Sequence, residues 1–220
     1  SARTLPQIIL YINPLENYYS DCTFFDGNTT CTTGGSANEY PPIPSTIGMS
    51  AGKWYWEVKP TARSDTADYL IGAFSTQHTA GTQSIGFLAN DYSYYGYTGN
   101  KRTGNTLSSY GDAYDTDDII GVALDLTNNK IYFAKNGTWQ DSGDPTSGAT
   151  GTGAAFSITA VSSTSLGAYF AGFTYFASVA STYSVNFGNP PYANSSDAAD
   201  ANGYGAFEYA PPSAYLALCS

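Results

Sequence analysis

The chain has 220 residues, with 8 Lys+Arg against 18 Asp+Glu and a net charge of −10. That balance argues against a fold that neutralises phosphates, so no nucleic-acid partner and no anionic membrane surface are expected. Charged residues make up only 12 % while aromatics reach 15 %, with 20 Tyr, so the chain can bury a core and takes its solubility from Ser, Thr, Asn, Gly and Tyr. A single His and three Cys leave little for zinc sites, His-based triads or haem ligation, and no metal or cofactor is expected. No apolar run approaches the roughly 18 residues of a membrane span, so membrane insertion is not expected. Ser1 in place of a start Met reads as a processed or excised piece of a longer chain.

Gly and Pro, 23 and 11 residues, interrupt nearly every window in which helical periodicity can be tested. Short strand-like runs recur instead. A hairpin is expected from Ser20–Phe25 and Asn28–Thr33. Strands follow at Lys53–Lys59, Tyr69–Ser75, Ser84–Leu88, Tyr92–Tyr97, Asp118–Leu126, Lys130–Lys135, Phe156–Val161, Tyr169–Val179 and Tyr183–Phe187. Many short strands between turn residues indicate an all-β sandwich. Ile120, Val122, Leu124 and Leu126, then Ile131 and Phe133, alternate as a sheet does when one face packs on a core. Turns are signed by Asp26-Gly27, Thr127-Asn128-Asn129 and Asn136-Gly137. The stretches at 141–153 and 194–205 read as solvated loops.

A two-residue loop at Asp26-Gly27 pairs Phe25 with Asn28 and, counting outward, Cys22 with Cys31. Directly opposed residues at a non-hydrogen-bonded position stand close to the lower limit for a disulfide. Either a disulfide or two packed thiols satisfies that pairing. Cys219 is left without a partner.

Chemical motifs are sparse. Asp112, Asp115, Asp117 and Asp118 lack the Gly and the terminal Glu of a calcium loop; Asp117-Asp118 reads better as the start of a strand. Glu57, inside Trp54-Tyr55-Trp56-Glu57-Val58, reads as a sheet residue satisfied by a neighbour. His78 lies in a polar loop, and no nucleophile motif is present, so no catalytic residues are expected. Tyr92, Tyr94, Tyr95 and Tyr97 alternate so that Tyr92 and Tyr94 share one face while Tyr95 and Tyr97 share the other. The segment is either a strand with one core face or an aromatic binding platform.

The run Gly52-Lys53-Trp54-Tyr55-Trp56-Glu57-Val58 resembles the central strand signature of SPRY domains. Tyr69 to Ala73 is similar to the next family strand. Asp117 to Asp125 resembles the family's D-x-I-G-V-x-L-D block, and Lys130 to Gly137 the hairpin after it. Tyr175 to Val179 and Val185-Asn186-Phe187-Gly188 resemble the closing strands. The blocks keep family order over residues 46–188. The flanks, Asn13-Pro14-Leu15, Asp26-Gly27-Asn28, Trp139 to Pro145 and Tyr209-Ala210-Pro211-Pro212, look like the SPRY variety of tailed-phage virion proteins.

The resemblance implies a bent, concanavalin-like β-sandwich of two antiparallel sheets at residues 13–192. Extensions at 1–12 and 193–220 flank it, the second returning to the sandwich. It implies a non-enzymatic binding or assembly module. The family's docking loops map to about Asn38–Pro44, Thr76–Gln83 and Ala180–Tyr183, without the basic clamp of the peptide-binding members. Tyr40, Pro42, His78, Gln83, Thr182 and Tyr183, joined by Tyr92 and Tyr94 from the aromatic segment, are the expected partner-contacting residues. The leading expectation is a virion or extracellular structural or fibre domain. It would contact other virion proteins or a host surface receptor, protein or glycan, and is compatible with a homo-oligomer. The alternatives are a lectin-like carbohydrate-binding module and an intracellular peptide-binding adaptor.

Overall fold

In a computed structural model of the chain, the described residues are 10–15, 22–33, 40, 42–62, 68–176 and 180–218. Their elements in chain order are β1 (Cys22–Phe25), β2 (Thr30–Thr33), β3 (Ile43–Pro44), β4 (Lys53–Ala62), β5 (Asp68–Phe74), β6 (Asp91–Tyr95), β7 (Lys101–Thr103) and β8 (Thr106–Ser108). There follow β9 (Ile120–Asp125), β10 (Lys130–Lys135), β11 (Thr138–Trp139), β12 (Phe156–Ser157), β13 (Phe170–Phe176), β14 (Thr182–Asn186) and β15 (Leu216–Ala217). Three single-turn 3-10 segments are the helical content of these residues.

The strands form two sheets. One runs β1-β2-β14-β4-β9-β10-β11, with β12 on β10 and β15 on β4; the other runs β3-β13-β5-β6-β7-β8. Every pairing is antiparallel except β15 on β4. The expected all-β sandwich of two antiparallel sheets is the observed architecture.

The alternation along β9 and β10 puts Ile120, Val122, Leu124, Ile131 and Phe133 between the sheets, against Tyr69, Ile71, Tyr94, Tyr169 and Phe173. The opposite face of β9 is also closed. Tyr55, Ala123 and Tyr132 form a second core with Phe207, Tyr215 and Ala217 from the C-terminal extension. A face that alternation marks as outward is therefore roofed by chain more than 70 residues away.

Several expected elements differ. Ser84–Leu88 is a turn, closed by the Phe87 N–H on the Ser84 carbonyl at 2.9 Å. Gly86 sits at φ +87, and a Cβ there would stand 2.5 Å from Ser93 Oγ, so this close approach needs glycine. The strand expected to run to Val161 stops at Ser157, and the one expected to Val179 reaches Phe176, with 177–179 outside the described residues. The short strands β3, β7, β8, β11 and β15 have no alternating apolar signal to announce them. The 194–205 stretch is more than a solvated loop: Asp200 is buried and accepts the N–H groups of Asn202, Tyr204 and Ala217 at 2.8–2.9 Å.

The first hairpin corrects the cysteine register. Asp26 and Gly27 adopt φ +52 and +66, and the Asn28 N–H reaches the Phe25 carbonyl at 2.9 Å, so the expected tight turn is present. Asn28 and Thr29 then bulge out before pairing starts at Phe25↔Thr30, which sets Phe24 opposite Cys31 and Cys22 opposite Thr33. The cause is tertiary. The Asn28 carbonyl accepts Ile12 N–H and the Thr29 carbonyl accepts Val185 N–H, each at 2.8 Å. Cys22 and Cys31 are diagonal neighbours rather than direct partners, and no disulfide joins them.

Candidate partner-docking surface

The loop that follows β5 folds back over the outer face of its own sheet. Ser75 N–H reaches Asn90 O at 2.9 Å, and the Thr76 hydroxyl donates to Ala89 O, which closes the base. Ile85, fully buried, plugs the sheet between Leu70 and Phe74. Its N–H donates to Thr174 Oγ1 at 3.0 Å. His78 Nε2 meets Asp91 Oδ2 at 2.9 Å, with both side chains nearly or fully enclosed. The same carboxylate accepts Leu88 N–H at 3.1 Å. Burial pushes the Asp91 carboxyl up, and the bonds from His78 and Leu88 pull it back. The His78 ring stands edge-on to Phe74 at 5.2 Å. The lone histidine is thus a clip that holds the loop down.

The tip of the loop is shaped by Gln83, whose Oε1 accepts the N–H groups of Thr79 at 2.8 Å and Ala80 at 3.3 Å. There the chain meets a second expected loop: Tyr40 N–H donates to Gly81 O at 2.7 Å. Asn38, Glu39 and Pro41 of that loop lie outside the described residues. Pro42 is buried behind it, leading into β3.

Across the same outer face, Thr174, Leu70 and Tyr95 lie side by side in register. Tyr95 leads to Tyr97, 54 % exposed, with ring centroids 6.3 Å apart. From Tyr40 to Tyr97 the described residues of this strip carry no charged side chain apart from the enclosed His78–Asp91 pair; at its margin Arg102, half-buried, is tied to Ser84 and Asn105. Thr, Gln and Tyr supply its polar groups.

Not every expected contact residue reaches this surface. Tyr92 and Tyr94 are enclosed between the sheets. The Tyr92 hydroxyl bonds Thr159 Oγ1 at 3.2 Å, and that of Tyr94 bonds the Asp112 carbonyl and Gln140. Burial drives the Tyr94 phenol above its ordinary value. Of the two alternating faces, the Tyr95–Tyr97 face is the accessible one. Tyr183 is also fully buried, stacked on Phe173 at 4.4 Å with its hydroxyl on Thr174 O. Thr182 is half-buried, its hydroxyl 2.8 Å from that of Thr32. Accessible positions are therefore Tyr40, Gln77, Thr79 and Thr82 of the 76–83 loop, and Tyr97, while Pro42, His78 and Gln83 shape the surface from beneath. Alternation separated Tyr92 and Tyr94 from Tyr95 and Tyr97 but could not say which face was the core.

The acidic run before β9 works as a fastener. Asp118 accepts Asn136 Nδ2 at 2.6 Å and Asp115 N–H at 2.8 Å, and pairs with Lys135 at 3.3 Å; Asp117 pairs with Lys59 at 3.1 Å.

The sequence profile of the SPRY domain matches residues 53–172, more than half of the chain. The chain belongs to the SPRY domain family. A 109-residue stretch is 30 % identical to the ATP-dependent RNA helicase DDX1 of Xenopus laevis, covering 49 % of this chain and 14 % of that protein. A 97-residue stretch is 31 % identical to human Ran-binding protein 9, covering 44 % of this chain and 13 % of that protein. The match thus spans about a seventh of these relatives. The fold is similar to the crystal structure of the SPRY domain of human HERC1, with TM-score 0.59 and 15 % identity over 79 % of this chain and 96 % of that one. A SPRY domain is a protein-interaction module, and this SPRY domain is read as one.

Proposed function

We propose that this SPRY domain is a non-catalytic adaptor that captures an extended, largely uncharged segment of another protein. The segment lies across the strip from Tyr40 through the 76–83 loop to Tyr97. The observation that carries the reading is the bond between Tyr40 and Gly81, which joins two loops on the face where half-buried Tyr95 leads to exposed Tyr97. Tyrosine supplies large contact area at low entropic cost, and Thr and Gln supply hydrogen bonds that need no opposite charge. The relatives named above are animal Ran-binding and helicase proteins. They favour the intracellular adaptor over a virion or fibre domain.

Panning a phage-displayed random peptide library against the domain tests this. Selected peptides are expected to lose at least tenfold in affinity on Tyr97→Ala and on Gly81→Trp, with the fold intact by circular dichroism. Peptides indifferent to both changes, or hits confined to a glycan array, overturn the proposal.

A further inference from the structure

The edge hairpin holds a feature that partner docking does not use. β1 is the outermost strand of its sheet. Cys22 and Phe24 alternate with Thr23 and Phe25, so that the first two turn half-buried toward the core. Cys31 lies one strand further in, fully buried. With Phe24 opposite Cys31 and Cys22 opposite Thr33, the two cysteines share a face as diagonal neighbours. The right-handed twist of a strand ribbon draws one diagonal of each such pair together. The Cys22 thiol beside it, together with burial, pushes the Cys31 thiol above its ordinary value.

We propose that Cys22 and Cys31 form a reversible dithiol–disulfide switch on the β1–β2 hairpin, oxidised by a small disulfide of the glutathione class. The two thiols have different roles. Cys22 is half-buried on the edge strand and meets the oxidant; Cys31 lies beneath it. The Cys22 thiolate attacks one sulfur of the oxidant, breaking its S–S bond and releasing one glutathione thiolate. Cys31 then gives its proton to that thiolate and attacks the Cys22 sulfur. This expels the second glutathione, which takes up the proton lost by Cys22. The pair loses two electrons in total, and the oxidant gains two as a pair of glutathione thiols.

The bond would lock a hairpin that anchors distant chain. Asn28 O holds Ile12 N–H, and Thr33 exchanges bonds with Ser181, at 2.9 Å from its N–H to Ser181 O and 3.1 Å from Ser181 N–H to its hydroxyl. Oxidation therefore ties the N-terminal segment and the start of β14 to one rigid ribbon. The inference does not depend on the docking reading.

The test uses the full chain with Cys219→Ser, equilibrated natively in graded glutathione redox buffers, then alkylated and weighed. Both thiols are expected to disappear together, with the mass lower by two hydrogens and no retained glutathione. Amides of β1 and β2 are expected to exchange about tenfold more slowly in the oxidised form. Adding Cys22→Ser should leave Cys31 unmodified under the same buffers, since its thiol is enclosed. A stable glutathione adduct on Cys22, or oxidation only in denaturant, overturns the proposal. So does persistence of both thiols in buffers that oxidise a dithiol control.

Discussion

The carboxylate of Glu57 accepts the backbone N–H of Tyr209 at 2.8 Å, across 152 positions of sequence. The same group accepts Glu208 N–H, Asn186 Nδ2 and the hydroxyls of Tyr55 and Tyr192, all within 3.2 Å. A fully buried charge is tolerated only when its lone pairs are filled. Two of the five filling groups, the N–H groups of Glu208 and Tyr209, come from the C-terminal extension. Glu57 is the rivet that fastens that extension over the outer face of β4.

Replacing Glu57 with Ala leaves several buried donors unpaired and is expected to cost about 3 kcal/mol. That corresponds to a fall in Tm of roughly 10 °C. Limited proteolysis should then cut first within 193–215. Its pH dependence has a definite sign. Burial raises the Glu57 carboxyl above 4.5, and the bonds from Tyr209, Glu208, Asn186 and Tyr192 only partly offset this. A raised carboxyl makes a contribution that is complete below the unfolded value near 4.5 and is lost as pH climbs through the folded one. Wild type should therefore gain on Glu57→Gln as pH falls toward 4.5. Denaturant melts of the two proteins across that window check it.

Tyr94 and Tyr97 should separate stability from binding. Tyr94→Ala removes an enclosed ring and is expected to destabilise by about 3–5 kcal/mol. Tyr97→Ala removes an exposed one, so its Tm should move by no more than roughly 2 °C. Its affinity for selected peptides should fall at least tenfold, about 1.4 kcal/mol. Thermal melts and titration calorimetry on both variants distinguish the roles.

Because the strip lacks exposed charge, peptide affinity should change by less than about twofold between low and high salt. Attraction between exposed charges would instead be screened away. Calorimetry at two salt concentrations measures this, and a steep decline would place the contact on another face.

His78→Ala leaves the Asp91 carboxylate enclosed without its side-chain donor, at a cost of about 1–3 kcal/mol. The effect should be local. Amides of 76–90 should exchange faster, while those of β9 and β10 keep their protection except through global unfolding. Peptide affinity should fall as the loop loses its seat.

Much of the fold was legible because its strands carry period-2 signals. Ile120 to Leu126 and Ile131 to Phe133 announce strands by alternation, and Asn136-Gly137, at φ +47 and +78, announces a tight turn by chemistry alone. Ser84–Leu88 misled because Ile85 and Phe87 alternate as in a strand, while Gly86 at φ +87 turns the chain. Among the expected contact residues, Tyr40 and the 76–83 loop were placed by family position. Tyr92 and Tyr94 lie in the core, because alternation separates two faces without saying which is inside.

The composition by itself determined a charge-poor, aromatic-rich β protein without the cations that phosphate binding needs. It did so because net charge and residue inventory do not depend on folding. The ordered blocks determined the family for the same reason. Only the tertiary structure decided that Tyr97 rather than Tyr94 faces outward, since that depends on which face of β6 meets the other sheet. Only it decided the hairpin register, because Ile12 and Val185 claim the carbonyls of Asn28 and Thr29. And only it gave the −10 chain two acids that work from inside: Glu57, which takes backbone donors from more than 150 positions away, and Asp200, which ties its own turn to Ala217.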